Sequence, residues 1–190
     1  MTAGVARPIE IHGYALVSND DRIAAADGLT PPSLRNPRDW DYYQTALAHS
    51  DLVVFGRRSH EAEPNLRGDR RLVVSRSAAG LEQRGDAWWW DPAHVGWAEA
   101  AKRLLPAGGE VAAPGGRVVF DLFLAIGFDA FHLSRARNVT LPGGLAIFSA
   151  CDSGLSADQV LAGAGLCVSE HIPLDPEHGV EMDVWRRRAS

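Results

Sequence analysis

Three short apolar runs, each closing on a glycine turn or a polar basic pair, constrain this chain more than anything else in it. Asp51–Phe55 runs into Gly56-Arg57-Arg58-Ser59, Arg71–Val74 runs into Ser75-Arg76, and Glu110–Ala113 runs into Pro114-Gly115-Gly116-Arg117-Val118. Runs this short and this rich in valine read as strands buried on both faces, the pattern of a parallel sheet. Their ends are where a sheet can offer backbone N–H groups and guanidinium forks to an anionic ligand.

The segments between and around them alternate in kind. Ile9–Val17 is a strand candidate with Gly13 inside it, and Arg22-Ile23-Ala24 resumes apolar character after the turn Ser18–Asp21. A helix is predicted to begin at Asn36–Asp39, with Asn36 as cap, Pro37 at the first helical position and Asp39 at the third. Trp40, Tyr43 and Leu47 recur at helical spacing and are expected to face the sheet. Arg57–Arg70 reads as irregular with one helical turn, His94–Leu105 as a helix, and Val118–Ile126 as a helix apolar enough to be covered on more than one side. Ala130–Ala136 is a further strand, Leu145–Phe148 another, and Ser156–Ala162 a short helix capped by Ser156. Leu166–Leu174 and Gly179–Arg187 form a terminal antiparallel hairpin. The whole reads as one α/β domain over residues 1–190, three-layered, with a mostly parallel central sheet and an antiparallel C-terminal edge.

The 190 residues carry a net charge of -5, which argues against nucleic acid as a partner but leaves room for a local basic pocket. No apolar run reaches the length of a membrane span, and the first eight residues lack the apolar core of a secretory leader, so the cytoplasm is expected. Cys151 and Cys167 form no disulfide framework, and the seven histidines show no metal-type spacing. His132, within a strand, reads as a structural histidine. Trp88 and Trp90 should face one side of an extended segment and Trp89 the other, as core or contact residues.

Gly56 lets the backbone bend around a ligand, Arg57 and Arg58 suit phosphate oxygens, Ser75 and Arg76 could hold a 2'-phosphate, and Gly115-Gly116 precedes a helix whose first N–H groups attract phosphate. The Gly-x-Gly-x-x-Gly fingerprint and the Walker A sequence are both missing, which disfavours Rossmann and P-loop enzymes.

In the order of these pieces, together with Leu16–Ala24 and Gly127-Phe128-Asp129 before Ala130–Ser134, the chain resembles the dihydrofolate reductase-like family. It is similar above all to the reductase domain of bacterial riboflavin biosynthesis. The resemblance implies a dihydrofolate reductase-like fold and NADPH bound at the C-terminal ends of the central strands. It implies Ala15 and Ile23 near the nicotinamide. Gly56, Arg57, Arg58 and Ser59 fall on the pyrophosphate and adenosine side, Ser75 and Arg76 on the 2'-phosphate, and Gly115, Gly116, Arg117 and Val118 around the pyrophosphate. A cis peptide at Gly115-Gly116 is also implied. Asp39 falls where the family keeps a substrate-binding, proton-supplying carboxylate, with Asp41 as the competing choice, and Tyr43 would touch the substrate ring from the same helix face.

Two departures stand out. Pro114 removes an N–H just before the paired glycines. Asn19-Asp20-Asp21 stands where riboflavin-type reductases show Leu-Asp-Gly. The implied function is an NADPH-dependent oxidoreductase acting on a small heterocycle, pterin-like or a riboflavin-pathway aminopyrimidine. The alternative is a nucleotide-binding or structural member of the fold without the reaction. The terminal hairpin could extend a sheet between two copies in a homodimer.

Overall fold

The structure is a computed structural model that describes residues 7–188; residues 1–6, on which the reading against a secretory leader chiefly rests, lie outside the described residues. Its strands are β1 (Ile9–Ser18), β2 (Arg22–Ala24), β3 (Leu52–Gly56), β4 (Arg71–Val74), β5 (Leu81–Arg84), β6 (Ala87–Trp90), β7 (Gly109–Gly115), β8 (Ala130–Ala136), β9 (Leu145–Ala146), β10 (Leu166–Asp175) and β11 (Val180–Arg187). Its helices are α1 (Pro37–His49), α2 (Arg57–Ala62), α3 (Trp97–Leu104), α4 (Arg117–Ile126) and α5 (Ala157–Gly163). Among the described residues, nine strands make one sheet in the order β10-β11-β8-β1-β7-β3-β4-β6-β5, and β2 pairs with β9 in a small second sheet. The central pairs are parallel, while β5 at one edge and the β10–β11 hairpin at the other are antiparallel. No described helix is long and apolar enough to cross a membrane.

The strands read as buried runs are buried on both faces, and two cores result. Leu52 and Val54 of β3 join Trp90, Phe120, Phe123, Phe131 and Leu161 on the side of α3, α4 and α5. Val53 and Phe55 join Tyr14 and Leu47 on the side of α1. These are the three layers expected from the alternation of strands and helices. The Asn36 side chain accepts from the N–H groups of Arg38 and Asp39 at 3.0 and 3.1 Å, as a cap should. Ser156 and Gln159 close a capping box at α5.

Several local expectations need correction. Trp40 is 52% exposed and packs on Tyr43 at 5.4 Å, because an open groove rather than the sheet lies beneath it. Val118 is 71% exposed, so α4 is not covered all round: Val119, Phe120 and Phe123 are buried, and Leu122, Leu124 and Ile126 pack against the core while partly exposed. α3 starts at Trp97 because the Asp91 carboxylate first holds a turn, accepting from Ala93 N–H and contacting His94 Nδ1, each at 3.0 Å. The first strand of the hairpin that carries Trp88–Trp90, β5, has a sequence poor in strand formers; its pairing with β6 and the stacking of Arg84 over Trp89 at 5.0 Å sustain it. β9 is only two residues long and pairs with β2. The Gly115–Gly116 bond is trans, and the turn is made by positive φ at both residues, 94° and 88°.

Asp21 adopts φ 61°, a conformation that glycine takes without cost. Its carboxylate receives Arg135 Nη1 and the N–H of Ala157, while Arg135 Nη2 reaches Asp158 at 2.7 Å. Asp21 and Arg135 are both buried, so the departure from Leu-Asp-Gly installs an ion pair that ties the β1–β2 turn to β8 and α5.

Gly13 is needed for a different reason, close approach. A Cβ there would overlap the buried Phe131 ring and lie 3.0 Å from Phe128 Cε1. Gly13→Ala should therefore cost about 2–3 kcal/mol through overpacking of the core. A urea midpoint within error of wild type would show that the rings can move aside.

Candidate functional site

The sheet opens at one place. β1 pairs with β7 only as far as Gly13 and Ala113, then continues to Ser18 beside β8 alone. β7 carries an irregularity at the same level: Val53 faces Ala112, but Phe55 faces Gly115. Pro114 lies in this bulge, where a residue without an N–H does least harm to the ladder. The chain leaves β1 for α1 on one face and leaves β7 for α4 on the other. A crevice at the carboxyl ends of strands whose connections diverge in this way is the ordinary ligand position of open α/β sheets.

The glycine and basic signals gather along this edge, at the ends of the adjacent strands β7, β3 and β4. Gly116 precedes α4 without any side-chain cap, and Gly56 precedes α2 in the same state. The two helix starts adjoin: a Cβ at Gly116 would come no nearer than 4.0 Å to any atom, the neighbour being Ser59 Oγ. Gly115 by contrast is closed, because a Cβ would overlap the Phe120 ring. Arg58 and Arg76 are exposed and make no side-chain hydrogen bond among the described residues, and Arg57 makes only an exposed pair with Glu61 at 3.4 Å. Ser75 Oγ lies 2.9 Å from Ser77 Oγ. Arg117 is engaged: Asp152 holds it at 2.6 Å and reaches Arg22 at 3.3 Å. Ala15 and Ile23 are half-buried against the α4-side core, at the far side of the crevice.

On the α1 side, Asp39 is the half-buried acid and Asp41 is exposed, which separates the two competing choices. Burial raises the Asp39 carboxyl above its ordinary range, and the Ser134 hydroxyl facing it offsets part of the rise. Ser134 pairs with Leu16, so Asp39 stands over the part of β1 that has left β7. Tyr43 packs over Val53 and Phe55, where burial also pushes its hydroxyl up.

Two features escaped the sequence. A groove of about 350 Å³ runs beside Trp40 and Gln44, walled by Glu63, Leu66, Arg67 and Arg71. Arg71 is buried 4.8 Å over the Phe55 ring and donates to the Glu63 carbonyl at 2.6 Å, while its Nε finds no hydrogen-bond partner among the described residues. Its place at the head of an apolar strand was the only signal. The other is a buried imidazole–phenol cluster under α1. There the signal was polar residues at His12, Tyr14, His132 and Ser134, alternating within otherwise apolar strands.

An α/β sheet with this order, crevice and terminal hairpin is the dihydrofolate reductase fold. Dihydrofolate reductase from Enterococcus faecalis, complexed with NADP(H) and RAB-propyl, superposes with a TM-score of 0.68 at 14% identity, over 95% of this chain and 97% of that one. A protein from Shewanella sp. PV-4 named for riboflavin biosynthesis gives 0.69 at 19% identity, over 95% of this chain and 100% of that one. No protein-family model and no curated protein matches the sequence. At these identities the likeness establishes the fold.

Proposed function

We propose that this protein is an NADPH-dependent reductase of a small heterocycle, pterin-like or a riboflavin-pathway aminopyrimidine. The observation that carries the reading is the open cradle at Gly116, where the uncapped start of α4 meets Ser59 beside the parting of β1 and β7. Its donors are backbone N–H groups with unpaired guanidinium groups nearby, which fits a dinucleotide phosphate. The Enterococcus neighbour, complexed with NADP(H), supports the same reading. In it, Gly56, Arg57, Arg58, Ser59, Gly115, Gly116, Arg117 and Val118 hold the pyrophosphate and adenosine side, Ser75 and Arg76 the 2'-phosphate, and Ala15 and Ile23 the nicotinamide. NADPH, when bound, supplies a hydride. Asp39 orients the substrate and, with its raised range, keeps a proton available for the ring nitrogen. Tyr43 packs on the ring, and the groove at Arg71 takes the substrate's outer part.

A second reading, a binding or structural protein of the same fold, is favoured by Arg117 being held by Asp152 and by the N–H missing at Pro114. Titration with NADPH, NADP+ and NADH, followed by tryptophan fluorescence and calorimetry, separates the two. NADPH should bind, and Arg76→Ala should weaken it about tenfold, the loss of one charge-assisted hydrogen bond, while leaving NADH unchanged. No dinucleotide binding at millimolar concentration would sink the reductase reading.

A further inference from the structure

Between α1 and the β1–β8 pair, four side chains with polar heads are packed together: His12 and Tyr14 of β1, His132 of β8 and Tyr42 of α1. The first three are buried and Tyr42 is half-buried. The Tyr14 and His132 rings stack with centroids 4.6 Å apart and planes nearly parallel at 9°, and His12 lies 5.7 Å from His132. The Tyr42 hydroxyl is 2.9 Å from His132 Nδ1, and the Tyr14 hydroxyl 3.5 Å from His12 Nδ1. The Nε2 atoms of both histidines are buried without a hydrogen-bond partner among the described residues.

The charges that face the cluster come from every strand around it. Glu10 of β1 and Glu110 of β7 each approach His12 to 3.7 Å. Glu170 of β10 acts on Tyr42, and Arg186 of β11 acts on Tyr14, Tyr42 and His132. None of these carboxylates forms an ion pair with His132, whereas one guanidinium and a second imidazole do oppose a charge on it.

The helix above depends on this contact. α1 is 13 residues long and has one fully buried side chain, Leu47. The Tyr42–His132 bond fastens its middle; its ends are fastened by Asn36 to Asp175 at 2.8 Å and by Ser50 to Glu110 at 3.4 Å. Tyr42, Tyr43 and Ala46 pack on the core only partly buried, and an element covered in this way belongs to the lower-stability part of a fold.

We propose that the His12–Tyr14–Tyr42–His132 cluster is an acid-sensitive latch that holds α1, with Asp39 and Tyr43, against the sheet at neutral pH and releases it when His132 is protonated. Burial, followed by the neighbouring His12 and Arg186, pushes His132 down to about 3. The folded value lies below the ordinary 6.5, so its stabilisation is complete above 6.5 and is lost as pH falls toward 3. Between pH 7.5 and 5 the titration of His132 alone should raise the open-to-closed ratio of α1 roughly 30-fold. Asp39, on the same helix, is linked in the opposite direction because its range is raised. The comparison must therefore be made between His132 variants. The inference stands apart from the reductase reading, since its readout needs no ligand.

Hydrogen exchange of α1 amides at pH 7.5, 6 and 5, corrected for intrinsic exchange, tests it. On going from pH 7.5 to 5 the wild type should lose roughly 30-fold more α1 protection, measured relative to α4, than His132→Phe, which keeps the ring stack but cannot titrate. Loss in α1 and α4 together, or the same pH response of α1 in wild type and His132→Phe, would each overturn the latch. Should His132→Phe misfold, His132→Gln replaces it. The wild-type His132 resonance decides independently: titration near its ordinary value would overturn the proposal, and titration well below it would support it.

Discussion

Asp21→Gly should lower the unfolding free energy by about 2–4 kcal/mol, even though glycine is the residue best suited to the backbone there. Asp21 sits at φ 61°, and relieving a non-glycine residue of that conformation gains roughly 1–2 kcal/mol. Against this, Arg135 would lose a buried partner, and stranding a buried charge costs about 3–5 kcal/mol. The N–H of Ala157 would lose its acceptor as well, at about 1–3 kcal/mol. Asp158, with 44% of its side chain exposed, keeps hold of Arg135 Nη2, so the loss is not total. The ion pair outweighs the strain. Urea unfolding with an unchanged slope should show the lower midpoint. Asp21→Asn, which tolerates the same conformation and still accepts a hydrogen bond, should fall between the two. A glycine variant more stable than wild type would mean that strain, not the pair, dominates this turn.

That turn also shows why some of the fold was legible and some was not. The strands β1, β3, β4, β7 and β8, the cap at Asn36 and the terminal hairpin are written in local patterns: valine runs, a capping residue before proline, alternation on either side of Asp175–His178. β5 is held by its neighbour rather than by its own residues, and Trp40 is exposed because of a groove formed by residues more than twenty positions away. The meaning of Asp21 lay with Arg135, 114 residues on, and no local pattern joins them.

The candidate site divides along the same line. Gly56, Ser75, Gly115 and Gly116 are backbone features at strand ends, and their convergence follows once β7, β3 and β4 are neighbours. Arg117 looked as free as Arg58 or Arg76 in the sequence, but Asp152 already occupies it, 35 residues away. The buried Arg71 and the paired histidines under α1 have no meaning until β8 lies beside β1 and α1 covers both. Positions set by backbone conformation are legible in the local sequence; positions set by a distant partner are not.

On the proposed reductase reading, Asp39→Asn should lower turnover by about 10²–10⁴-fold while leaving NADPH affinity intact, and on any reading it should make the protein more stable at pH 7. Both directions follow from one fact: burial raises the Asp39 carboxyl, so the folded state disfavours its charge. A group raised on folding contributes stability below its unfolded value and loses it as pH rises through the folded one. Wherever Asp39 ionises, the folded state holds a disfavoured charge that asparagine removes, keeping its size and a hydrogen-bonding group for Ser134. The difference should shrink on acidification, where Asp39 is protonated whether folded or not. The opposing effect is the helix dipole, which favours an acid in the first turn of α1 by about 0.3–1 kcal/mol. If that term were the reason for Asp39, asparagine would destabilise the protein at pH 7 and turnover would survive. Melting temperature against pH, read beside NADPH consumption, tells the two apart. A residue kept at a cost to stability is the mark of a working site, and one that stabilises its own helix is not.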